Sequence, residues 1–216
     1  MKLLIGPKEI VKKPEILLIE NWYSKEEEEK VWKELDYYTN KDKFEEATKS
    51  GNVATEKDGS FKGDHFRVHL DQLYTQKGRS LSDILRYYSK IQQPQFHNLI
   101  KEVSPEYSRT FMTTNITYSL ISYYENSHYY KAHHDAFFWT ILIWFFKEPK
   151  IYKGGDLIFK EFDQTINCKH NMLCAFPSYY LHEVVPIEIP EENQNKGLGR
   201  YTITHFLHYI ENHHLK

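Results

Sequence analysis

The chain has 216 residues, 40% of them hydrophobic, and a formal net charge of −2 at pH 7. A chain of this length and composition buries one sizeable core, so we expect a single domain over residues 1–216. The near-neutral charge provides no basic field of the kind that attracts a nucleic-acid backbone. The two cysteines, Cys168 and Cys174, are too few for a disulfide framework or a structural zinc cluster.

Apolar segments along the chain are short. The run at the amino terminus is interrupted by Gly6 and Pro7, which leaves it too short for the core of a signal peptide. The longest apolar stretch, residues 136–146, is far below the roughly 20 residues that cross a bilayer. We therefore expect a soluble, cytoplasmic protein with no membrane partner, and the sequence leaves its oligomeric state open.

The first elements combine a strand, a helix and a polar segment. Residues 15–22 are an apolar strand candidate, and Ser24 with Glu27 forms a capping-box pattern that predicts a helix over residues 24–39. Residues 40–64 are polar and punctuated by glycine, which indicates a long loop and a possible lid. Residues 65–71 alternate between apolar and polar side chains, as in a strand with one polar face.

In the second half of the chain, the predicted secondary structure changes from helices to strands. Helical patterns occupy residues 80–91 and 94–103, and from residue 113 onward strand follows strand, rich in Ile, Tyr, Phe and Thr. Closely spaced strands separated by turn signals favour a closed or sandwiched antiparallel core such as a jelly roll. We expect an α+β fold in which residues 1–112 supply most of the helices as support and residues 113–210 form the core.

Two His-x-Asp patterns are candidates for a metal site, His133 with Asp135 and His69 with Asp71. A catalytic non-haem iron site uses two imidazoles and one carboxylate, and positions i and i+2 of a strand project to the same side. His182 heads an apolar strand at a distance from His133 that a few β-strands fill, whereas the path from His69 crosses two predicted helices. The pattern favours His133, Asp135 and His182.

An arginine follows the third candidate ligand. Arg200 opens the strand over residues 200–207, and its planar fork is suited to binding a carboxylate through both oxygens. If this strand pairs with the His182 strand in a hairpin, both side chains face inward. Alternation then places Thr202, Thr204 and Phe206 on the same face as Arg200.

From about residue 113 to 210 the sequence resembles the Fe(II)/2-oxoglutarate-dependent oxygenases, and within them the prolyl-4-hydroxylase-like branch. The matching features follow one another in the family's order along the chain. They are Tyr124, Tyr130, His133-x-Asp135, "TILIW", "KGGDLIF", "HEVVP" with His182, and "RYTITHF" with Arg200.

The resemblance implies a double-stranded β-helix, the jelly-roll core that cupins share. It also implies Fe(II), 2-oxoglutarate as co-substrate, O2, and ascorbate as a possible reductant. The roles that it implies are Fe(II) binding by His133, Asp135 and His182, pairing of Arg200 with the distal carboxylate of 2-oxoglutarate, assistance from Tyr124, Thr204 and Trp144, and a substrate pocket lined by Tyr130 and Phe206.

The activity implied is hydroxylation of an aliphatic C–H bond, with a prolyl residue in a protein or peptide as the leading substrate. A free amino acid or another small metabolite is the alternative, an N-methylated nucleic acid is less favoured, and a non-catalytic jelly-roll binding module is a different class.

Three departures from the family pattern bear on this choice. Residues 190–199 lengthen the connection from His182 to Arg200, and Ser127 stands where a glycine is common. Only the four residues 136–139 separate Asp135 from the next predicted strand, so the substrate-enclosing loop often found there in peptide prolyl hydroxylases is missing.

Overall fold

The structure is a computed structural model that describes residues 15–51 and 53–211, which fold into six α-helices and 14 β-strands. The helices are α1 (Lys25–Asn40), α2 (Ala47–Ser50), α3 (Leu70–Leu73), α4 (Asp83–Tyr87), α5 (Pro94–Val103) and α6 (Ser108–Thr113). The strands are β1 (Leu17–Ile19), β2 (Glu45–Glu46), β3 (Gly63–Asp64), β4 (Phe66–His69), β5 (Ile116–Tyr124), β6 (Tyr129–His133), β7 (Trp139–Phe145), β8 (Lys153–Gly154), β9 (Leu157–Phe159), β10 (Gln164–Ile166), β11 (Met172–Pro177), β12 (His182–Val184), β13 (Ile187–Glu188) and β14 (Arg200–His208).

Most strands belong to two antiparallel sheets. The larger sheet has the strand order β1-β11-β7-β14-β5-β4-β2, and the smaller has the order β10-β9-β12-β6-β3. Strands β8 and β13 pair separately. The chain is thus a mixed helix and antiparallel-sheet protein, as the sequence predicts at this level.

The larger sheet has an apolar core on each face. In β7, Ile141 and Ile143 point to one face, where they pack in a cluster with residues of α1, α4 and α5. Leu142 and Trp144 point to the other, where they pack with residues of β6, β9 and β12. Helices therefore cover one face of the larger sheet, and the smaller sheet covers the other.

Helix α1 begins where the capping pattern predicts. The Ser24 hydroxyl accepts a hydrogen bond from the Glu27 amide at 3.3 Å, and the Glu27 carboxylate accepts one from the Ser24 amide at 2.9 Å. Val31 and Leu35 on its inner face are fully buried. The prediction of a helix over residues 24–39 is confirmed, with bounds shifted by one residue.

Residues 40–64, predicted as one long loop, contain regular structure. Strand β2 extends the edge of the larger sheet beside β4, and β3 extends the edge of the smaller sheet beside β6. Helix α2 and a bridge between Thr55 and Phe61 lie between them. This segment joins the neighbouring edges of the two sheets, and its role as a lid stays a prediction.

Three other predicted bounds differ from the structure. The strand predicted over residues 15–22 narrows to β1, and the strand predicted over residues 65–71 ends at His69, where Leu70 begins α3. The helix predicted over residues 80–91 is divided, since 3-10 turns flank α4. The helix predicted over residues 94–103 is confirmed as α5.

In residues 15–51 and 53–211, no helix combines the length and the apolar character that crossing a membrane requires.

Candidate active site

The three predicted metal ligands meet at the ends of two paired strands. His133 is the last residue of β6 and lies opposite His182, the first residue of β12, in the antiparallel register. Asp135 follows two positions after His133. Its Oδ1 lies 3.6 Å from His133 Nε2, and its Oδ2 lies 3.5 Å from His182 Nε2. The ligand atoms are all within 4.8 Å of one another, the only such group in the described part of the chain.

Both imidazoles are oriented in the same way. Each Nδ1 lies 2.8 Å from the backbone carbonyl two residues earlier, that of Lys131 for His133 and that of Tyr180 for His182. A carbonyl only accepts, so Nδ1 carries a proton in both rings, and Nε2 is the nitrogen that faces Asp135. This is the arrangement in which a histidine binds a metal through Nε2.

Asp135 is held as a carboxylate. Its Oδ2 accepts a hydrogen bond from the Thr140 hydroxyl at 2.6 Å, and its amide donates to the Ser178 carbonyl at 3.0 Å. Burial opposes ionisation, but the two neighbouring histidines outweigh it and lower the pKa of Asp135. Burial also lowers the pKa of His182 to about 4, so this ring is neutral near pH 7. Two imidazoles and one carboxylate fit a divalent ion such as Fe(II).

Arg200 lies on the opposite wall, at the start of β14. Its guanidinium is fully buried, donates through Nη1 to the Gly155 carbonyl, and lies 4.5 Å from the centre of the Tyr124 ring. Burial raises the pKa of Tyr124 to about 12, which keeps its hydroxyl protonated. Because β14 pairs with β5 and β7 in the larger sheet, the predicted hairpin between the His182 and Arg200 strands is wrong. The two side chains nevertheless face one cavity, since the sheets face each other.

Several buried polar atoms around Arg200 lack a hydrogen-bond partner among the described residues. They are Arg200 Nε, Thr202 Oγ1, Trp144 Nε1 and the Tyr152 hydroxyl. Buried donors are rarely left unsatisfied, because each costs about 1–3 kcal/mol. Arg200 and Thr202 line the cavity, and a small anion such as the distal carboxylate of 2-oxoglutarate would accept hydrogen bonds from both, so these two residues fit this co-substrate.

The remaining predicted residues divide between wall and core. Tyr130, Thr204 and Phe206 line the cavity, and Tyr130 stacks on His133 with ring centroids 3.7 Å apart. Trp144 is fully buried between the sheets and is not among the lining residues, whereas its neighbour Leu142 is. Trp144 therefore does not contact the cavity directly, and it can only support the residues that line it.

The structure adds residues for which the sequence suggested no role. Thr202 lies beside Trp144 in the register of β14 with β7, and Tyr152 precedes the glycine pair at β8. Arg67 on β4 lines the cavity and is only 6% exposed. The alternation of apolar and polar side chains over residues 65–71 is the one sequence signal that could have indicated Arg67 as a cavity residue.

The second His-x-Asp pattern does not form a metal group. Asp71 accepts hydrogen bonds from the Arg79 guanidinium and the Ser119 amide, which occupy its two oxygens. His69 lines the same cavity as the triad. It belongs to the polar face of β4, as the alternation in the sequence predicts. His134 is exposed, contributes to the lining of the cavity and places Nδ1 2.7 Å from the Tyr179 carbonyl.

The cavity between the sheets has a volume of about 820 Å³. The triad occupies one wall, Arg200 and Thr202 the opposite wall, and Phe137 and Phe206 stack near the mouth with ring centroids 4.5 Å apart. This volume exceeds the needs of one five-carbon diacid and leaves space for a second small molecule.

No protein-family model matches the chain, and no curated protein matches it in sequence. Solved structures match its fold. A prolyl-4-hydroxylase of Pseudomonas putida aligns with a TM-score of 0.60 and 12% identity over 92% of this chain and 94% of its own. A prolyl hydroxylase of Trichoplax adhaerens, in complex with a peptide fragment of the hypoxia inducible factor oxygen degradation domain, aligns at 0.58 and 12% over 90% and 84%.

A third match is an oxidoreductase of the 2OG-Fe(II) oxygenase family from Burkholderia pseudomallei, with a TM-score of 0.55 and 9% identity over 89% of this chain and 84% of its own. The family resemblance predicted from the sequence is thus confirmed at the level of the fold.

Proposed function

We propose that the protein is an Fe(II)- and 2-oxoglutarate-dependent dioxygenase, built on a distorted double-stranded β-helix, that hydroxylates an aliphatic C–H bond. The observation that carries the proposal is the meeting, in one cavity, of a His-Asp-His group and a buried arginine surrounded by unsatisfied polar atoms. The fold it shares with 2OG-Fe(II) oxygenases supports the same conclusion.

The residues of the chain hold the reactants. His133, Asp135 and His182 would bind Fe(II) from one side, which leaves positions open on the cavity side. Arg200 would hold the distal carboxylate of 2-oxoglutarate, and the Thr202 hydroxyl would donate to it. Bound Fe(II) would supply the oxidising chemistry together with O2, of which one oxygen atom enters succinate as 2-oxoglutarate loses CO2 and the other enters the hydroxylated substrate.

A prolyl residue of a protein or peptide is the first substrate class to test, because two of the fold neighbours described above are prolyl hydroxylases. A free amino acid or another small metabolite is the second candidate. It is favoured by the connection from Asp135 to β7, which is only the three residues 136–138 and encloses no peptide.

Iron-dependent succinate formation from 2-oxoglutarate tests the proposal. We expect activity in the wild type with Fe(II) and ascorbate, and a loss of at least about 1000-fold in His182→Ala, because two remaining ligands hold the ion poorly. His97→Ala is the matched control, since that imidazole lies on α5, on the helix-covered side of the larger sheet, and does not line the cavity.

If the wild type forms no succinate with any substrate mixture, the result would favour a non-catalytic binding module. Equal activity in His182→Ala and the control would contradict the assignment of the ligands.

A further inference from the structure

A chain of two hydroxyl groups lies behind the Asp135 carboxylate. The Thr140 hydroxyl lies 2.6 Å from Asp135 Oδ2 and 2.8 Å from the Ser178 hydroxyl. Thr140 and Ser178 are fully buried, so bulk water does not compete for these hydrogen bonds. The chain therefore connects a predicted metal ligand to two side chains that have no role in the site so far.

The direction of the two hydrogen bonds follows from the groups that make them. An ionised carboxylate only accepts, so the Thr140 hydroxyl donates its single proton to Asp135. The Ser178 hydroxyl is then the donor of the second bond, because the Thr140 oxygen can still accept. Consecutive hydrogen bonds of this kind polarise and strengthen one another. Ser178 therefore supports the bond from Thr140 to Asp135.

The backbone fixes both hydroxyls. Ser178 directly follows β11, its carbonyl accepts from the Asp135 amide at 3.0 Å, and its amide donates to the Phe138 carbonyl at 3.1 Å. Thr140 lies inside β7, which has β11 on one side and β14 on the other. The two hydroxyls thus occupy defined positions, and the hydrogen bonds pass this order on to the Asp135 carboxylate.

The carboxylate needs such a restraint more than the imidazoles do. His133 and His182 belong to strands, whereas Asp135 lies in the connection between β6 and β7. A carboxylate turns easily about its last bond, and its two oxygens are chemically equivalent. The Thr140 hydroxyl holds Oδ2, whereas Oδ1 lies 3.6 Å from His133 Nε2, beyond hydrogen-bonding distance. Thr140 therefore distinguishes the two oxygens and leaves Oδ1 without a competing donor.

We propose that Thr140 is a positioning residue for the metal site, and that Ser178 acts through it. Together they hold the Asp135 carboxylate in the orientation that binds the ion. The inference rests on the metal site of the proposed function and adds two residues that do not contact the ion themselves. Hydrogen-bond partners of metal ligands typically contribute about 10–100-fold to the affinity for the metal.

Binding of Mn(II), used in place of Fe(II), tests the proposal without turnover. The concentration of free Mn(II) is measured by electron paramagnetic resonance in titrations of the full chain. We expect Thr140→Val to weaken Mn(II) binding at least about tenfold, because valine keeps the branched shape and removes the donor. Thr140→Ser keeps the hydroxyl and should recover most of the affinity.

Ser178 distinguishes a chain of hydrogen bonds from two independent contacts. We expect Ser178→Ala to weaken Mn(II) binding about two- to threefold in the wild-type background. The same substitution should have no further effect in Thr140→Val, since Ser178 acts through the hydroxyl that this variant lacks. Equal losses in the two backgrounds would contradict the chain.

Thr117→Val is the matched control. Thr117 lies on β5, outside the cavity lining, and its hydroxyl donates to the Tyr88 hydroxyl at 2.6 Å. This variant loses a hydrogen bond of the same length and should bind Mn(II) as the wild type does. Thermal unfolding of the metal-free proteins identifies the folded variants and separates an effect on stability from one on the ion.

The proposal is overturned if folded Thr140→Val binds Mn(II) as tightly as the wild type, or if Thr140→Ser loses as much affinity as Thr140→Val. If Thr140→Val does not fold, an unchanged affinity in Ser178→Ala and Thr140→Ser overturns it, and a loss confined to Ser178→Ala supports it. A wild type that does not bind Mn(II) would reject the proposal and the ligand assignment together. Absence of iron-dependent succinate formation would reject the proposed function alone, because the Mn(II) affinities report on Thr140 without turnover.

Discussion

The two sheets contribute to the site in different ways. In the larger sheet, β14 and β5 pair in unbroken register from Arg200 opposite Tyr124 to His208 opposite Ile116. In the smaller sheet, β12 has only three residues, and its pairing with β6 shifts between His182 and Val184. The long strands present a regular wall, whereas the short strands end at the metal ligands.

This difference has a physical reason. Within a regular sheet, backbone groups bond to neighbouring strands and side chains stand in rows. Such rows can place several donors, here Arg200 and Thr202, around one anion. At the strand ends, the carbonyls of Lys131 and Tyr180 are available to orient the imidazoles that follow them. On the proposed function, the larger sheet would therefore bind the co-substrate, and the smaller sheet would orient the histidine ligands.

Loss of the arginine in the larger sheet should have the largest effect on co-substrate binding. We expect Arg200→Gln to raise the KM for 2-oxoglutarate about 100-fold, because a buried charge-assisted contact is lost. The affinity for Fe(II), measured by equilibrium dialysis, should change little, since the ligands belong to the other sheet. A variant with an unchanged KM would show that Arg200 only packs against Tyr124.

Two threonines on one strand give a smaller and more selective effect. Thr202 has a buried hydroxyl with no partner in the described part of the chain, and Thr204 lies one row farther from Arg200. We expect Thr202→Val to raise the KM for 2-oxoglutarate about tenfold and Thr204→Val to raise it less. The sequence resemblance implies the reverse order, so steady-state kinetics on both variants decides between them.

A substitution on the other face of β14 should change the stability of the protein and not the site. His205 is fully buried, and its Nδ1 lies 2.9 Å from the Ser119 hydroxyl. Burial lowers its pKa to about 3, whereas an unfolded histidine titrates near 6.5. The neutral ring therefore contributes stability that is complete above about pH 6.5 and is lost as the pH falls toward 3, with a slope of up to about 1.4 kcal/mol per pH unit.

Urea denaturation of the wild type and His205→Gln between pH 7.5 and 4.5 measures this contribution. The stability advantage of the wild type should shrink as the pH decreases. A difference that is constant over the range would contradict the assigned titration.

The parts of the site that the sequence predicted were those that depend on local spacing. His133 and Asp135 lie two positions apart at a strand end, and alternation correctly placed Arg200, Thr202 and Thr204 on one face. Local patterns do not determine which strands become neighbours. The hairpin prediction was wrong for that reason, since the chain after His182 crosses to the other sheet.

The same limit explains Arg67 and Trp144. Arg67 reaches the cavity because β4 pairs with β5, a contact between segments far apart in the chain. Trp144 has the inward direction that alternation predicts, but the neighbouring strands pack around it and Leu142 reaches the cavity instead.

We predict that a metal ion at the His-Asp-His group and the buried Arg200 bind one molecule of 2-oxoglutarate together. Calorimetric titration of the wild type with 2-oxoglutarate and with glutarate, each with and without Mn(II), tests it directly. Glutarate has both carboxylates but lacks the 2-keto oxygen. We predict that the ion raises the affinity for 2-oxoglutarate at least about tenfold and leaves that for glutarate nearly unchanged. Equal binding of 2-oxoglutarate with and without the ion would show that the ion and Arg200 do not bind the same molecule.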